Sequence, residues 1–177
     1  MPEVILDTKA FKQAVTKIAG EILKQTPDTG DLAFVGIQNK GVFVAKRIAA
    51  EVARLAKIDE SAIPFGTLDI TLYRDDIDNF GSDIPVIKDT VIPFDISQKN
   101  IVLVDDVLFT GRTVRAALDV LTDFGRPKRI TLAVLIDRGC RELPIEANYC
   151  GVKYETKENV KVEVAETDGE DRVILLK

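Results

Sequence analysis

The chain of 177 residues contains no histidine and no tryptophan, and it has only two cysteines and one methionine. The absence of histidine excludes a histidine general base, a Ser-His-Asp triad and a histidine-ligated zinc site. No apolar run approaches the roughly 20 residues of a membrane span, and Met1–Val4 does not resemble the start of a signal peptide. We therefore expect one cytoplasmic domain over residues 1–177, without a membrane segment and with Cys140 and Cys150 reduced.

The chain also has no excess of lysine and arginine over aspartate and glutamate, and its formal net charge is −5. Proteins that bind nucleic acids usually carry a basic excess or a basic stripe that matches the phosphate backbone. The overall charge therefore gives no support for such a role, although it leaves room for a local basic patch.

One stretch in the middle of the chain combines an apolar strand, two acids and a polar loop. Ile101–Val104 is apolar and mostly β-branched, which is typical of a strand buried on both faces. Asp105 and Asp106 follow where we expect the strand to end. An amphipathic helix begins after the loop Thr110–Thr113. In an α/β sheet, ligands bind beyond the carboxyl ends of the strands, so this order predicts a ligand site.

The residue types in this stretch indicate which ligand it binds. A loop with glycine, hydroxyls and a cation at a helix N-terminus offers donors to an anion, most naturally a phosphate. Adjacent carboxylates repel phosphate but suit sugar hydroxyls or a divalent cation. A ribose 5-phosphate carries both kinds of group. The alternative interpretation is an acidic strand end followed by an ordinary helix cap.

The rest of the chain predicts α/β architecture with repeated β-α units and a β-rich tail. Asp7 or Thr8 caps a first helix. A second strand–loop–helix unit consists of a strand over Leu32–Ile37, the loop Gln38–Gly41 and a helix to about Lys57. In this loop, Lys40 can pair with an anion. The other predicted strands are Thr67–Tyr73, Arg129–Ile136 and a pair, Val160–Val164 and Val173–Leu176, around the turn Asp168–Gly169. Arg74–Ile92 shows no period and is either a functional lid or a disordered surface loop.

The central stretch resembles the phosphoribosyl-pyrophosphate (PRPP) signature of type I phosphoribosyltransferases. Three further segments, Asp69–Asp76, Gly125–Pro127 and Asp137–Ile145, resemble the PyrR family, which combines pyrimidine-operon attenuation with uracil phosphoribosyltransferase activity. The resemblance runs from about Val4 to the last strand. It implies the type I phosphoribosyltransferase fold, with a central, mostly parallel sheet flanked by helices, a flexible lid loop and a β-rich C-terminal hood. It also implies the reaction of uracil and PRPP to UMP and pyrophosphate.

The resemblance further implies a role for each part of the site. The catalytic residues would be Asp105 and Asp106, which hold the ribose hydroxyls, and Arg74 on the lid. PRPP or the nucleotide would be bound by Asn39, Lys40, Asp105, Asp106, Val107, Leu108, Phe109, Thr110, Gly111, Arg112 and Thr113. The uracil side would be formed by Ile136, Asp137 and Arg138. No side chain is expected to ligate a metal directly, because Mg²⁺ would arrive mainly through the oxygens of PRPP and pyrophosphate.

The family also binds the leader mRNA of pyrimidine operons in a UMP-dependent manner. Thr16, Lys17, Arg141 and Lys153 are the possible RNA-binding residues here. Gly20 and Cys140 replace histidines of the family pattern, and Glu146 replaces an arginine. Because a carboxylate repels phosphate, these departures argue against strong RNA binding. The alternative is a purine or other nucleobase phosphoribosyltransferase without RNA-binding activity. A homodimer or higher homo-oligomer is expected by analogy alone.

Overall fold

The computed structural model describes residues 3–73, 89–163 and 170–176. Arg74, most of the predicted lid and the predicted turn Asp168–Gly169 lie outside the described residues. Within the described ranges, no helix is both long enough and apolar enough to cross a bilayer.

The described chain forms three α-helices, eight strands and two short 3₁₀ helices. Their order is β1 Glu3–Leu6, α1 Thr8–Gln25, β2 Leu32–Ile37, α2 Lys40–Ala56, a 3₁₀ helix Glu60–Ala62, β3 Phe65–Leu68, a 3₁₀ helix Thr71–Tyr73, β4 Asn100–Leu108, α3 Arg112–Asp123, β5 Arg129–Asp137, β6 Tyr149–Lys153, β7 Asn159–Glu163 and β8 Arg172–Leu176.

The larger sheet has five parallel strands in the order β3-β2-β4-β5-β6. Both faces are covered, and the side chains of β4 alternate between two cores. Val102 and Val104 pack with α1 and α2 on one face. Ile101 and Leu103 pack with α3 on the other. This two-sided burial explains the unbroken apolar run and confirms the predicted α/β architecture.

The smaller sheet is antiparallel, in the order β1-β8-β7. The predicted C-terminal strand pair is confirmed as β7 and β8. Strands β1 and β6 were not predicted. Strand β1 has only four residues, half of them exposed, and β6 contains Gly151, which weakens its strand pattern.

The prediction of one strand over Thr67–Tyr73 is wrong. Strand β3 ends at Leu68, and Thr71–Tyr73 forms a 3₁₀ helix. The side chain of Asp69 causes the break, because its Oδ1 accepts a hydrogen bond from the Thr71 N–H at 2.8 Å. An aspartate that bonds the backbone two residues ahead forms a turn in place of the strand ladder.

Helix α2 begins immediately after β2 and lies close against it at Gly36. A Cβ atom at Gly36 would lie 2.6 Å from the Cα of Val42 in the first turn of α2. The close approach therefore requires glycine, and it holds the N-terminus of α2 at the carboxyl end of β2.

We predict that Gly36→Ala lowers the free energy of unfolding by about 1–3 kcal/mol, because the backbone of α2 must move to admit the methyl group. Urea denaturation measures the change. Gly20→Ala is the matched control: it lies in α1, where a Cβ would meet nothing within 4 Å, and alanine should raise stability by up to about 1 kcal/mol. Equal stability of the wild type and Gly36→Ala would contradict the close packing.

Candidate nucleotide site

The candidate site lies at the carboxyl edge of the larger sheet, where β4 sits between β2 and β5. The strand was predicted to end at the two acids. This prediction is wrong, because β4 continues through Asp105 and Asp106 to Leu108. Pairing of Val107 with Ile136 and of Leu108 with Asp137 extends the ladder past the acids. Both acids therefore lie within the last residues of β4, and the strand continues to pair with β5 beyond them.

The two acids form a hydrogen-bonded pair. Asp105 is buried, with 6% of its surface exposed, and Asp106 is half-buried. The Asp106 N–H donates to Asp105 Oδ1 at 2.9 Å, and the Val107 N–H donates to Asp106 Oδ1 at 3.0 Å.

The electrostatics of the pair disfavour a negative charge on both carboxylates at once. Burial raises the pKa of Asp105 well above its ordinary value, and the neighbouring Asp106 adds to the rise. Burial also raises the pKa of Asp106, against the hydrogen bonds that its carboxylate receives and the positive charge of Lys40. Asp106 is thus the member of the pair that keeps its negative charge more easily.

The first turn of α2 packs directly on the acid pair. A Cβ at Gly41 would lie 2.7 Å from the Val104 carbonyl oxygen and 3.2 Å from Asp105 Oδ1. Lys40, beside this glycine, has its Nζ 5.8 Å from the centre of the Phe43 ring. The preceding loop contains a cis peptide bond between Gln38 and Asn39, and Asn39 is exposed. The structure therefore brings Asn39 and Lys40 to the same edge as the acids.

The polar loop Thr110–Thr113 connects β4 to α3. Gly111 adopts φ 93° as the N-cap residue of α3, a conformation that favours glycine. Glycine has no side chain to cap the helix, and of the N–H groups in the first turn, that of Arg112 donates to the Thr110 hydroxyl oxygen at 3.3 Å. Arg112 and Thr113 are exposed there, and Arg112 Nε contacts Glu142 Oε2 at 2.6 Å. Such an open helix N-terminus suits an anion.

The predicted uracil-side residues lie at the end of β5, next to the end of β4. Ile136 is fully buried within the ladder. The guanidinium of Arg138 lies 4.0 Å from the centre of the Phe109 ring, within cation–π range. Arg138 is 6% exposed, and burial lowers the pKa of its guanidinium. The backbone carbonyls of Asp137 and Arg138 already accept from the N–H groups of Tyr154 and Thr156.

Arg141 is held inside the protein. Its Nη2 donates to both carboxylate oxygens of Asp137 at 2.7 Å, and its Nη1 donates to the Phe109 carbonyl at 2.9 Å and the Gly139 carbonyl at 3.1 Å. Its Nε donates to the Ile145 carbonyl at 2.8 Å. All three guanidinium nitrogens therefore donate to groups of the protein, although Arg141 was predicted as an RNA-binding residue.

The other predicted RNA-binding residues divide between two places. Lys17 Nζ donates to the Cys150 carbonyl at 2.9 Å, which places it beside β6. Burial and the Asp137 carboxylate raise the pKa of the Cys150 thiol, and the charges of Lys17 and Lys153 oppose the rise. Thr16 instead turns toward α2, where its hydroxyl donates to Glu51 Oε1 at 2.7 Å.

A cavity of about 450 Å³ lies against the segment after β5. Its lining includes Leu143, Pro144 and Ile145, the cations Arg141 and Lys153, and the acid Glu146. In the part of the chain that the structure describes, neither the acid pair nor the polar loop lines this cavity. Side chains of both charges therefore line the cavity.

Comparison with known proteins identifies the family. Residues 3–168 match the model of the phosphoribosyl transferase domain. A "Bifunctional protein PyrR" from Endomicrobium trichonymphae is 67% identical over 177 residues, which is 100% of each chain. Another, from Pelotomaculum thermopropionicum, is 51% identical over 174 residues, 97% of this chain and 94% of that protein. The chain belongs to the PyrR family of phosphoribosyltransferases.

The structural comparison places this PyrR-family chain in the type I phosphoribosyltransferase fold, as predicted. A hypoxanthine-guanine phosphoribosyltransferase from Bacillus anthracis superposes with a TM-score of 0.73 at 17% identity, covering 99% of this chain and 98% of that one. A hypoxanthine phosphoribosyltransferase from Trypanosoma cruzi gives 0.76 at 12% identity, covering 99% and 95%. At such low identity the likeness shows the fold alone.

The site of this family member includes contacts that sequence reasoning missed. The N–H groups of Glu142 and Leu143 both donate to the Thr110 carbonyl, at 2.9 and 3.1 Å. Gly41, which admits α2 onto the acid pair, was not singled out either. The segment Asp137–Ile145 carried the family resemblance, but its sequence has no period that would indicate folding back onto the polar loop.

We predict that Asp105→Asn stabilises the ligand-free protein at neutral pH. A carboxyl whose pKa is raised by folding is protonated in both states below about pH 3, and the wild type loses stability as pH rises through the unfolded pKa toward the raised pKa of the folded state. Asparagine does not ionise, and its Oδ1 can still accept from Asp106. Urea denaturation between about pH 3 and 8 should show that the variant is more stable than the wild type at about pH 7 and that this gain disappears by about pH 3.

Asp119→Asn is the control for this titration. Its side chain is 56% exposed and pairs with Arg115, so stability should change by less than about 0.5 kcal/mol. A variant at Asp105 that is less stable than the wild type at pH 7 would show that the carboxylate is not under electrostatic stress.

Proposed function

We propose that the chain transfers the phosphoribosyl group of PRPP to uracil, giving UMP and pyrophosphate. The observation that carries the proposal is the acid pair of β4 standing one short loop from the open N-terminus of α3. Full-length identity of 67% to a protein named "Bifunctional protein PyrR" supports the same reaction.

The ribose 5-phosphate is bound by the two halves of this arrangement. Asp106, which retains its charge more easily than Asp105, accepts hydrogen bonds from the ribose hydroxyls. The backbone N–H groups and hydroxyls of Thr110–Thr113 hold the 5′-phosphate at the helix N-terminus. The negative charge beside the ribose also favours the positive charge that develops on the sugar ring when the pyrophosphate leaves.

The pyrophosphate is held on the other side of the acid pair. Lys40, whose charge already acts on Asp106, supplies a cation, and Asn39 supplies exposed polar groups. Arg74, which rests on the family resemblance, would add a second cation. Asp105 is buried, so Mg²⁺ would be bound mainly through the oxygens of PRPP. Bound in this way, Mg²⁺ would neutralise charge on the leaving group.

The base lies by the carboxyl end of β5 in this proposal. The stacked pair of Arg138 and Phe109 offers a flat wall for a planar ring. In the described part of the chain, the buried Nε of Arg138 has no hydrogen-bond partner. The arrangement positions the reactants, and it needs no covalent nucleophile.

A substrate panel tests the proposal. Product formation from PRPP and uracil, hypoxanthine, guanine or orotate should be fastest with uracil. Replacing both acids by asparagine should lower kcat/KM for uracil by about 100-fold or more, because charge is removed where the transition state becomes positive. Circular dichroism checks that the double variant is folded.

Asp119→Asn again serves as the control and should retain full activity, because this exposed acid lies on the outer surface of α3. Faster turnover of a purine than of uracil would favour the purine phosphoribosyltransferase alternative. Undiminished activity of the double variant would disprove the assigned site. The homodimer or higher homo-oligomer stays a prediction.

Binding of pyrimidine leader mRNA is a second candidate function. The observation in its favour is a pair of exposed lysines, Lys17 and Lys153, whose positive charges both act on the Cys150 thiol of β6. Glu146 and Glu155 line the adjoining cavity and oppose an RNA phosphate there. We propose weak, salt-sensitive RNA binding by the lysine pair rather than by Arg141.

We predict that Glu146→Arg strengthens binding of a pyrimidine leader hairpin in the presence of UMP. Removing the repulsive carboxylate and adding a cation should raise affinity and steepen the slope of log K against log salt by about 1. Filter binding between 50 and 200 mM salt measures both quantities. Glu60→Arg makes the same charge change on an exposed 3₁₀ helix elsewhere and should have a smaller effect. Equal gains for the two variants would place the RNA surface elsewhere.

A further inference from the structure

We infer that Arg141 is a positioning residue that holds the polar loop Thr110–Thr113 in its phosphate-binding shape; the inference rests on the proposed function. Its guanidinium joins two parts of the site. One nitrogen binds both carboxylate oxygens of Asp137 at the end of β5, and another binds the Phe109 carbonyl at the entrance of the loop.

The consequence for the loop follows from the geometry of the peptide bond. In a planar trans peptide the N–H points away from the C=O. When the Phe109 carbonyl is held by Arg141, the Thr110 N–H of the same peptide must point to the opposite side. The Thr110 carbonyl accepts hydrogen bonds from the N–H groups of Glu142 and Leu143. The Gly111 N–H, which belongs to the same peptide, therefore also points away from the segment Arg141–Leu143.

Two successive N–H groups are thus turned away from the segment Arg141–Leu143. Successive backbone N–H groups that point to one side form an anion-binding concavity. The segment therefore acts as the rear support of the loop, and Arg141 is the member whose side chain anchors it to the sheet. The fit is close on this side, since a Cβ at Gly111 would lie 3.3 Å from Ile145 Cβ and 3.5 Å from Leu143 Cβ.

The same contacts distinguish Arg141 from an arginine that is solvated on the protein surface. Its side chain is 22% exposed, and Nε, Nη1 and Nη2 all donate to protein oxygens. A direct contact with RNA phosphate would require these bonds to break and would leave the buried carboxylate of Asp137 without its cation. Arg141 thus acts on the phosphate site through the backbone of the loop.

Ribose 5-phosphate is the probe that tests this role, because it carries the phosphate and the diol but no base. Calorimetric titration should show an affinity for Arg141→Gln that is about tenfold or more weaker than that of the wild type. Arg141→Lys should lose nearly as much, because a single ammonium cannot hold Asp137 and the Phe109 carbonyl together. The far-ultraviolet circular dichroism of the two variants should match that of the wild type.

Arg54→Gln is the matched control. Arg54 forms a two-nitrogen ion pair with Glu51 on the surface of α2, away from the loop, so its loss should leave ribose 5-phosphate affinity within twofold of the wild type. If Arg141→Gln does not fold, the pair Asp137→Asn with Arg141→Gln removes the unpaired carboxylate and should show the same tenfold loss.

Ribose 5-phosphate affinity within twofold of the wild type in Arg141→Gln, or its full recovery in Arg141→Lys, overturns the inference. The same holds if Arg141→Gln weakens only the binding of a leader hairpin, because Arg141 would then contact RNA directly. Because the probe contains no nucleobase, a failure of the uracil panel would contradict the proposed function while leaving this measurement intact.

Discussion

Two-sided burial of β4 is the constraint on which the site depends. The strand lies at the centre of five parallel strands and carries apolar side chains into both cores. Its carboxyl end delivers Asp105 into the same dry surroundings, where a charge is costly. The raised pKa of Asp105 follows from this position. Folding therefore places a carboxylate in surroundings that disfavour its charge, at the site where we propose that the ribose binds.

The sequence predicted the central elements because their patterns are strong and local. The strand Leu32–Ile37 was predicted with the bounds that the structure gives it, and Asp7 caps α1 by accepting the Ala10 N–H at 2.8 Å. The acids and the polar loop were recognisable because strand, carboxylates, glycine and helix follow each other within a few residues. A site that is formed by contiguous residues can therefore be recognised from the sequence.

The parts that were missed depend on contacts between distant segments. Strand β6 is short and contains glycine, and only its pairing with β5 makes it a strand. The break after Leu68 results from one side chain, Asp69, which overrides the alternation of the residues around it. The internal role of Arg141 could not be read from its identity, because an arginine in a polar segment is usually solvated. Its partners at Phe109 and Asp137 come together only in the folded chain.

The pairing of β1 with β8 joins the two ends of the described chain, with Glu3 opposite Leu175. Closing so long a loop costs more conformational entropy than the local βα units, and contacts of this separation slow folding. All five strands of the larger sheet precede residue 154, whereas the smaller sheet needs both β1 and β8, from opposite ends of the described chain. The smaller sheet therefore fastens the N-terminal segment to the C-terminal segment, while the edge that carries the acids is complete without it.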